Sequence, residues 1–332
     1  MRSSPLHILF LLLLLLPYLL TAALAGPPED DDEYLTKNYY SRSCPRFEET
    51  VGCKIDYWHS LDSSLSPSLI HLLFFDCAVR GCDASILLNN TGGERRSPAA
   101  ASLRGFRVID DIKAELEKTC PETVSCADIL VAAAREATLK AGGPYWDNVY
   151  GRKDGRVSLA KEAEAVPTGR ESITELIDFF DSLGLDILDL VVLSGAHTIG
   201  KATCGAIQHR LYNYGGVAGE SDPSIDPRYL NYLKRKCRQA STEVDFDPTT
   251  PTEFDNEYYR NLKRHMGLLG TDQLLASDSR TEPIVEALAS QEGVFKHQFA
   301  KSMKNLAEAL VLEGNDEGEV RINCNFVNEK KK

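Results

Sequence analysis

Apolar residues open the chain as an almost unbroken run from Leu6 to Leu24, then settle into a helical rhythm. Beyond the run, hydrophobic positions recur every three or four residues, with Pro and Gly marking short loops between segments. Ser66-Pro67 reads as an N-cap with proline at the first helical position, opening a helix through about Val79. Ile109, Ile112 and Leu116 form one stripe and predict a helix over Leu103–Lys118, stopped before Cys120-Pro121. Ser125 caps an alanine-rich helix that ends at Gly142-Gly143. Ile173, Leu176, Ile177 and Phe180 predict a helix within 170–183, and Gly184 ends it. Asp186 caps the next, through Leu190, Val191 and Leu193 to about Ser194. Further helices are predicted at 254–264, 282–290 and 294–312, whereas the one strand-like stretch, Gly318–Ile322, is short and polar. The pattern predicts an all-α class.

The leading run has the parts of a secretory signal: Arg2, a hydrophobic stretch, and the small-x-small site Ala23-Leu24-Ala25. Its length also suits a signal anchor, but Pro17 and the acidic Glu29–Glu33 favour cleavage. Removing residues 1–25 from the 332 leaves a single domain of 307, residues 26–332. No other stretch could span a bilayer, so no membrane association is expected after cleavage. Lys plus Arg number 37 against 49 Asp plus Glu, a net charge of −12, which argues against nucleic-acid partners. An oxidising destination makes most of the nine cysteines expected disulfide partners.

Three segments carry candidate chemistry. Asp76-Cys77-Ala78-Val79-Arg80-Gly81-Cys82-Asp83-Ala84-Ser85 is dense in hard oxygens. Asp76, Asp83, the Ser85 hydroxyl and the carbonyls of Val79 and Gly81 suit calcium, and a solvated turn beside two buried cysteines suits the residues equally. Asp245–Asp255 is a second oxygen-rich stretch kept extended by Pro248 and Pro251; alone it reads better as an exposed acidic turn. Ser194-Gly195-Ala196-His197-Thr198 sets a lone histidine among small residues, leaving room for a flat ligand, although such a histidine is more often a hydrogen-bonded core residue.

Taken together these segments resemble the secretory (class III) plant heme peroxidases across essentially all of the mature chain. The resemblance runs through Tyr40-Ser41-Arg42-Ser43-Cys44-Pro45, Gly81-Cys82-Asp83-Ala84-Ser85, Arg104-Gly105-Phe106 and Val124-Ser125-Cys126-Ala127-Asp128. It continues in Gly151-Arg152-Lys153-Asp154, Leu193–Thr198 and Phe254-Asp255-Asn256. It implies two helical lobes around one heme b, two calcium ions and four disulfides. By position, His197 would be the proximal iron ligand, Asp272 would accept its ring N–H, and Phe246 would pack beside it. One calcium would take Asp76, Val79, Gly81, Asp83 and Ser85, and the other Thr198, Asp247, Thr250, Glu253 (through its carbonyl) and Asp255. The implied disulfides are Cys44–Cys120, Cys77–Cys82, Cys126–Cys324 and Cys204–Cys237, which leave Cys53 as an expected buried free thiol. Pro167 would place its carbonyl at the edge used by aromatic donors. Asn89-Asn90-Thr91 is the single N-glycosylation sequon.

The sequence leaves the family on the distal side. Where the pattern has an Arg and, four residues on, a His above the iron, this chain has His71 and Phe75. The i, i+4 spacing would set both on one helix face, but Phe75 can neither take a proton nor stabilise charge. The Asn expected between Glu94 and Arg104 is also missing. His71 could be a displaced base, a sixth iron ligand or space filling. The resemblance therefore implies a secreted, monomeric protein of apoplast or cell wall, with hydrogen peroxide and small phenolic donors as partners. Its turnover is expected to be impaired, and a catalytically silent heme- and calcium-binding scaffold is the alternative.

Overall fold

The computed structural model describes residues 35–312 and 318–329. The expected leader 1–25 and its cleavage site lie outside them. Twelve α-helices carry the described fold: α1 (Phe47–Leu61), α2 (Leu65–Arg80), α3 (Phe106–Thr119), α4 (Cys126–Lys140), α5 (Ile173–Ser182) and α6 (Ile187–Ser194) come first. They are followed by α7 (Cys204–Tyr212), α8 (Pro227–Lys236), α9 (Glu257–Lys263), α10 (Gly270–Leu275), α11 (Glu282–Ser290) and α12 (Glu292–Ala307). Strands β1 (Lys201–Thr203) and β2 (Glu243–Asp245) pair antiparallel, and they form the one sheet among the described residues. The class is all-α, as the periodicity predicts. Gly318–Ile322 contributes only a single bridge, Glu319 to Asp154.

Helix α4 is the central element, packed against α1, α2 and α3. Its alanines let neighbouring helices approach closely, and Ile129, Leu130 and Val131 are fully buried among them. Ser125 caps it as expected, its hydroxyl accepting the Asp128 N–H at 3.1 Å. The N-cap expected at Ser66 is not formed. Helix α2 starts a residue earlier, at Leu65, and the Ser66 hydroxyl instead meets His59 Nδ1 at 2.9 Å.

Two family motifs meet at the start of α4. Asp128 is fully buried against Arg152 at 2.9 Å and also accepts bonds from Tyr40 and the Gly151 N–H. Asp154 accepts the N–H groups of Ala127 and Arg321. Buried ions without partners would cost several kcal/mol each, so the motif charges occur as complementary sets. They bind the helix start, the 151–154 segment and the C-terminal segment into one frame. A second, smaller core gathers Ile207, Leu211, Tyr229, Leu233, Val244 and Leu268 around the Cys204–Cys237 disulfide.

All four implied disulfides are present: Cys44–Cys120, Cys77–Cys82, Cys126–Cys324 and Cys204–Cys237. Cys53 is free but exposed, which corrects the expectation of a buried thiol. It lies on α1, whose buried stripe is Phe47, Val51 and Ile55. Two residues from either Val51 or Ile55, position 53 turns away from that stripe.

Candidate functional site

The segment around His197 is shaped by packing. Asp186 and Asp189 form a capping box that starts α6, and a 3-10 turn, Gly195–Thr198, follows its end. Gly195 is obligatory there, because a Cβ would stand 2.2 Å from the Tyr259 hydroxyl and 2.6 Å from the Phe295 ring. Tyr259 in turn donates to the Val191 carbonyl at 3.1 Å. Past Gly200 the chain enters β1, whose pairing with β2 delivers Phe246 back to the turn. The Phe246 N–H bonds the Gly200 carbonyl, and its ring stacks on His197 at 4.0 Å with an interplanar angle of 4°. Three residues of ribbon thus fix the plane of the imidazole.

His197 Nδ1 lies 2.8 Å from Asp272 Oδ1. Asp272 also accepts the Tyr258 hydroxyl at 3.0 Å and the Leu269 N–H at 2.9 Å, the latter at the start of its own helix α10. Burial alone would raise its pKa, but the adjacent His197 and these donors outweigh burial and hold it below the usual carboxylate value. An ionised carboxylate only accepts, so the shared proton sits on Nδ1 and the Nε2 lone pair is left for a ligand. His197 keeps about a third of its side-chain surface open, while Asp272 is buried.

On α2, His71 is open to solvent-sized space while Leu72, Leu73 and Phe75 beside it are buried. Protein nevertheless surrounds the ring. Burial holds its imidazole down to about 4, so it is neutral near pH 7. Phe75 is 1% exposed and belongs to the main core. The shared face expected from i, i+4 spacing is therefore only half open: His71 presents a polar edge and Phe75 presents almost none. A cavity of about 460 Å³ lined by Ile225, Leu262, His265, Gln273 and Val285 contains neither histidine.

The loop after α2 closes through Cys77–Cys82 and turns at Gly81, whose φ of +86° and contact with the Leu310 carbonyl exclude any side chain. Asp76 is fully buried and accepts the Ala84 and Ile86 N–H groups; Asp83 accepts that of Ser85. The Ser85 hydroxyl and both carboxylate oxygens of Glu94 are buried without a partner at hydrogen-bonding geometry. Burial, compounded by the neighbouring carboxylates, raises Asp76 well above its normal value; burial likewise takes Asp83 to about 6 and Glu94 to about 7. Closely spaced carboxylates and orphaned oxygens are the donor chemistry of a hard cation. Glu94 had not been singled out in sequence, because only the fold brings it to this loop.

The second oxygen-rich set also converges. The Thr198 hydroxyl lies 3.4 Å from the Glu253 carbonyl and 3.2 Å from Asp255 Oδ1, and the Thr250 hydroxyl 3.4 Å from Asp247 Oδ2. Burial, with the charges of Asp255 and Glu257, raises Asp247 despite the backbone donors of Thr249 and Thr250. Among the described residues, no three His, Cys, Asp or Glu side chains gather closely enough to hold an ion alone. Hydroxyl and carbonyl oxygens would complete either set. Pro167 is half-buried in a loop whose Gly169 carbonyl receives the Thr271 N–H of α10. Asn89 is exposed.

A family model described as Peroxidase matches residues 51–291. The chain belongs to the peroxidase family. It is 57% identical over 298 residues to Peroxidase 7 of Arabidopsis thaliana, covering 89% of this chain and 85% of that protein. Peroxidase 58 and Peroxidase 71 of the same plant are each 41% identical, over 306 and 293 residues. The first alignment covers 89% of this chain and 93% of its relative, the second 87% and 88%. Peroxidase-family membership implies heme, hydrogen peroxide and an oxidoreductase chemistry. It fits the histidine described above, whose free Nε2 and carboxylate-bound Nδ1 suit an iron ligand.

Proposed function

We propose that this peroxidase is a secreted heme protein in which His197 binds the iron and the distal side supports only slow oxidation of phenolic donors by hydrogen peroxide. The observation that carries the reading is the 2.8 Å bond from His197 to a buried, acid-shifted Asp272. When bound, the heme supplies the iron that reduces peroxide and oxidises the donor. Asp272 holds the Nδ1 proton and lends the imidazole anionic character, and Phe246 keeps the ring plane fixed. His71 is the residue able to take a proton from peroxide on the distal face. It is neutral near pH 7, so it brings no positive charge to the oxygen–oxygen bond as that bond breaks. Loss of such a charge stabiliser costs roughly 10²–10³-fold.

Two calcium ions complete the reading, one at Asp76, Val79, Gly81, Asp83 and Ser85 with Glu94 behind it, the other at Thr198, Asp247, Thr250, Glu253 and Asp255. The orphaned Ser85 and Glu94 oxygens support the first. The convergence of Thr198 on Glu253 and Asp255 supports the second. Four disulfides support secretion, with residues 1–25 as the leader. Among the described residues, no helix is long and apolar enough to cross a membrane.

The burial of Phe75 favours a second reading, a heme- and calcium-bearing scaffold without turnover. Absorption spectra of the purified protein with and without peroxide, combined with donor oxidation per heme, separate the two. Slow, heme-dependent turnover supports the enzyme, whereas a bound heme that never oxidises a donor supports the scaffold. Absence of heme binding overturns both.

A further inference from the structure

The motif Phe254-Asp255-Asn256 runs straight into α9, and that helix carries a phenol to the His197 site. The Asn256 amide donates to the carbonyls of Leu288 and Ala289 at 2.8 and 3.0 Å, which fixes the start of α9 on the end of α11. Tyr259 ties the same helix to α6 through the Val191 carbonyl. Between these two anchors, Tyr258 is 2% exposed, and its ring stands edge-on to His197, with centroids 6.1 Å apart and planes at 75°. It does not stack on the imidazole as Phe246 does, so what it brings to the site is its hydroxyl.

That hydroxyl donates to Asp272 Oδ1 at 3.0 Å, the same oxygen that faces His197 Nδ1 at 2.8 Å. The other oxygen, Oδ2, takes the Leu269 N–H. A carboxylate oxygen offers about two lone-pair positions, so imidazole and phenol together fill Oδ1. Burial first, then the charge of Asp272, holds the Tyr258 pKa well above the usual tyrosine value, and the phenol keeps its proton. Asp272 is itself 2% exposed, so solvent does not stand in for either donor. The two donors therefore divide one oxygen's charge in surroundings where hydrogen bonds are electrostatically strong. The shorter imidazole bond takes the larger share.

We propose that Tyr258 is a positioning residue that restrains the pull of Asp272 on the Nδ1 proton and thereby sets the reduction potential of an iron held by His197. The proposal rests on the reading of His197 as that ligand. Hydrogen bonds to a ligand's outer edge are one of the levers by which a protein tunes a bound iron. Here two donors act on one oxygen of that lever. With the phenol in place the carboxylate is partly satisfied, and the imidazole stays nearer neutral. Without it, Oδ1 draws harder on the Nδ1 proton, the imidazole gains anionic character, and ferric iron is favoured over ferrous.

The test is a potentiometric titration of the heme-loaded protein, read with the iron–histidine stretching band of its ferrous form. Tyr258→Phe removes the hydroxyl and keeps the ring. It should favour ferric iron about tenfold more, a potential lower by about 59 mV for one electron, and should move the band to higher frequency. Placing 3-fluorotyrosine at position 258 gives a more acidic phenol and a stronger donor, so both readings should move the opposite way. That variant decides the question if Tyr258→Phe does not fold. Tyr259→Phe removes a neighbouring buried hydroxyl that donates to backbone carbonyls, and it should move neither reading. An equal shift in Tyr259→Phe overturns the proposal by reducing the effect to the loss of any buried hydroxyl. An iron–histidine band present in the wild type and unmoved by either change at position 258, with an unmoved potential, overturns the proposal alone. A wild type that binds heme without such a band overturns the reading of His197 beneath it as well.

Discussion

Asp272 governs what His197 can do, because it decides which imidazole nitrogen carries the proton. Asp272→Asn keeps the shape but can turn an N–H toward Nδ1, driving the proton to Nε2 and removing the lone pair. We expect His197→Ala to lose heme, and Asp272→Asn to retain less than wild type, both read as heme-to-protein ratio. Unchanged ratios would remove His197 from the role of ligand. Because the folded pKa of Asp272 lies below the ordinary 3.8, its contribution to stability is complete above that value. It fades as pH falls through the lower folded value, and an acid-unfolding series should find this fading missing in Asp272→Asn. On the distal side, Phe75→His with His71→Arg restores a base and a charge stabiliser. Stopped-flow spectra with excess peroxide should be faster by at least about 10²-fold than in the parent. Each single change should recover less, since both groups act on one bond-breaking step. A parent already as fast as the double variant would place the missing functions in other residues.

Helices and loops set the positions from which these side chains act, and their legibility in the sequence was uneven. Helices α3 and α5 were readable from their apolar stripes, and α4 and α6 from the capping residues Ser125 and Asp186 ahead of apolar runs. The boundary of α3 slipped to Phe106 because Gly105, at φ +102°, starts it instead of the apolar Leu103. The β1–β2 ribbon was not readable: three-residue strands give too little alternation to register. Yet the ribbon sets Phe246 on His197 and Asp247 beside Thr250. Helix α1 was not predicted, although Phe47, Val51 and Ile55 recur every four residues along it, and with it went the exposure of Cys53. Both oxygen-rich sets sit at element ends, one after α2 and one joining the His197 turn to the segment after β2. Ions there would hold helices rather than single side chains. Excess chelator should therefore lower the melting temperature, since ions bound only to the native state stabilise it by mass action. Metal analysis should find two calcium ions per chain, and an identical melting curve with no calcium would sink the assignment.

Across the whole molecule, the motifs that carry family resemblance hold the frame more often than they touch the site. Asp128, Arg152 and Asp154 are buried far along the chain from His71 and His197, and they tie α4 to the C-terminal segment. Sequence alone could not separate this role from a catalytic one, because buried ion pairs and active-site charges use the same residue types. Cys126–Cys324 closes the same frame across a sequence separation of 198, against 5 for Cys77–Cys82. In the loop-entropy account the long closure stabilises by about 5 kcal/mol and the short one by about 2. The segment held by Cys324 also carries Arg321, which is fully buried and donates to the carbonyls of Ala84 and Cys324. Releasing it would expose this guanidinium's partners as well as lengthen the free chain. Cys126→Ala with Cys324→Ala should therefore cost roughly 3 kcal/mol more than Cys77→Ala with Cys82→Ala. The comparison belongs in excess chelator, so that loss of an ion beside Cys77 and Cys82 does not enter. Denaturant unfolding of both double variants gives the difference directly. Equal losses would mean that residual structure in the unfolded chain, and not loop length, decides what these disulfides contribute.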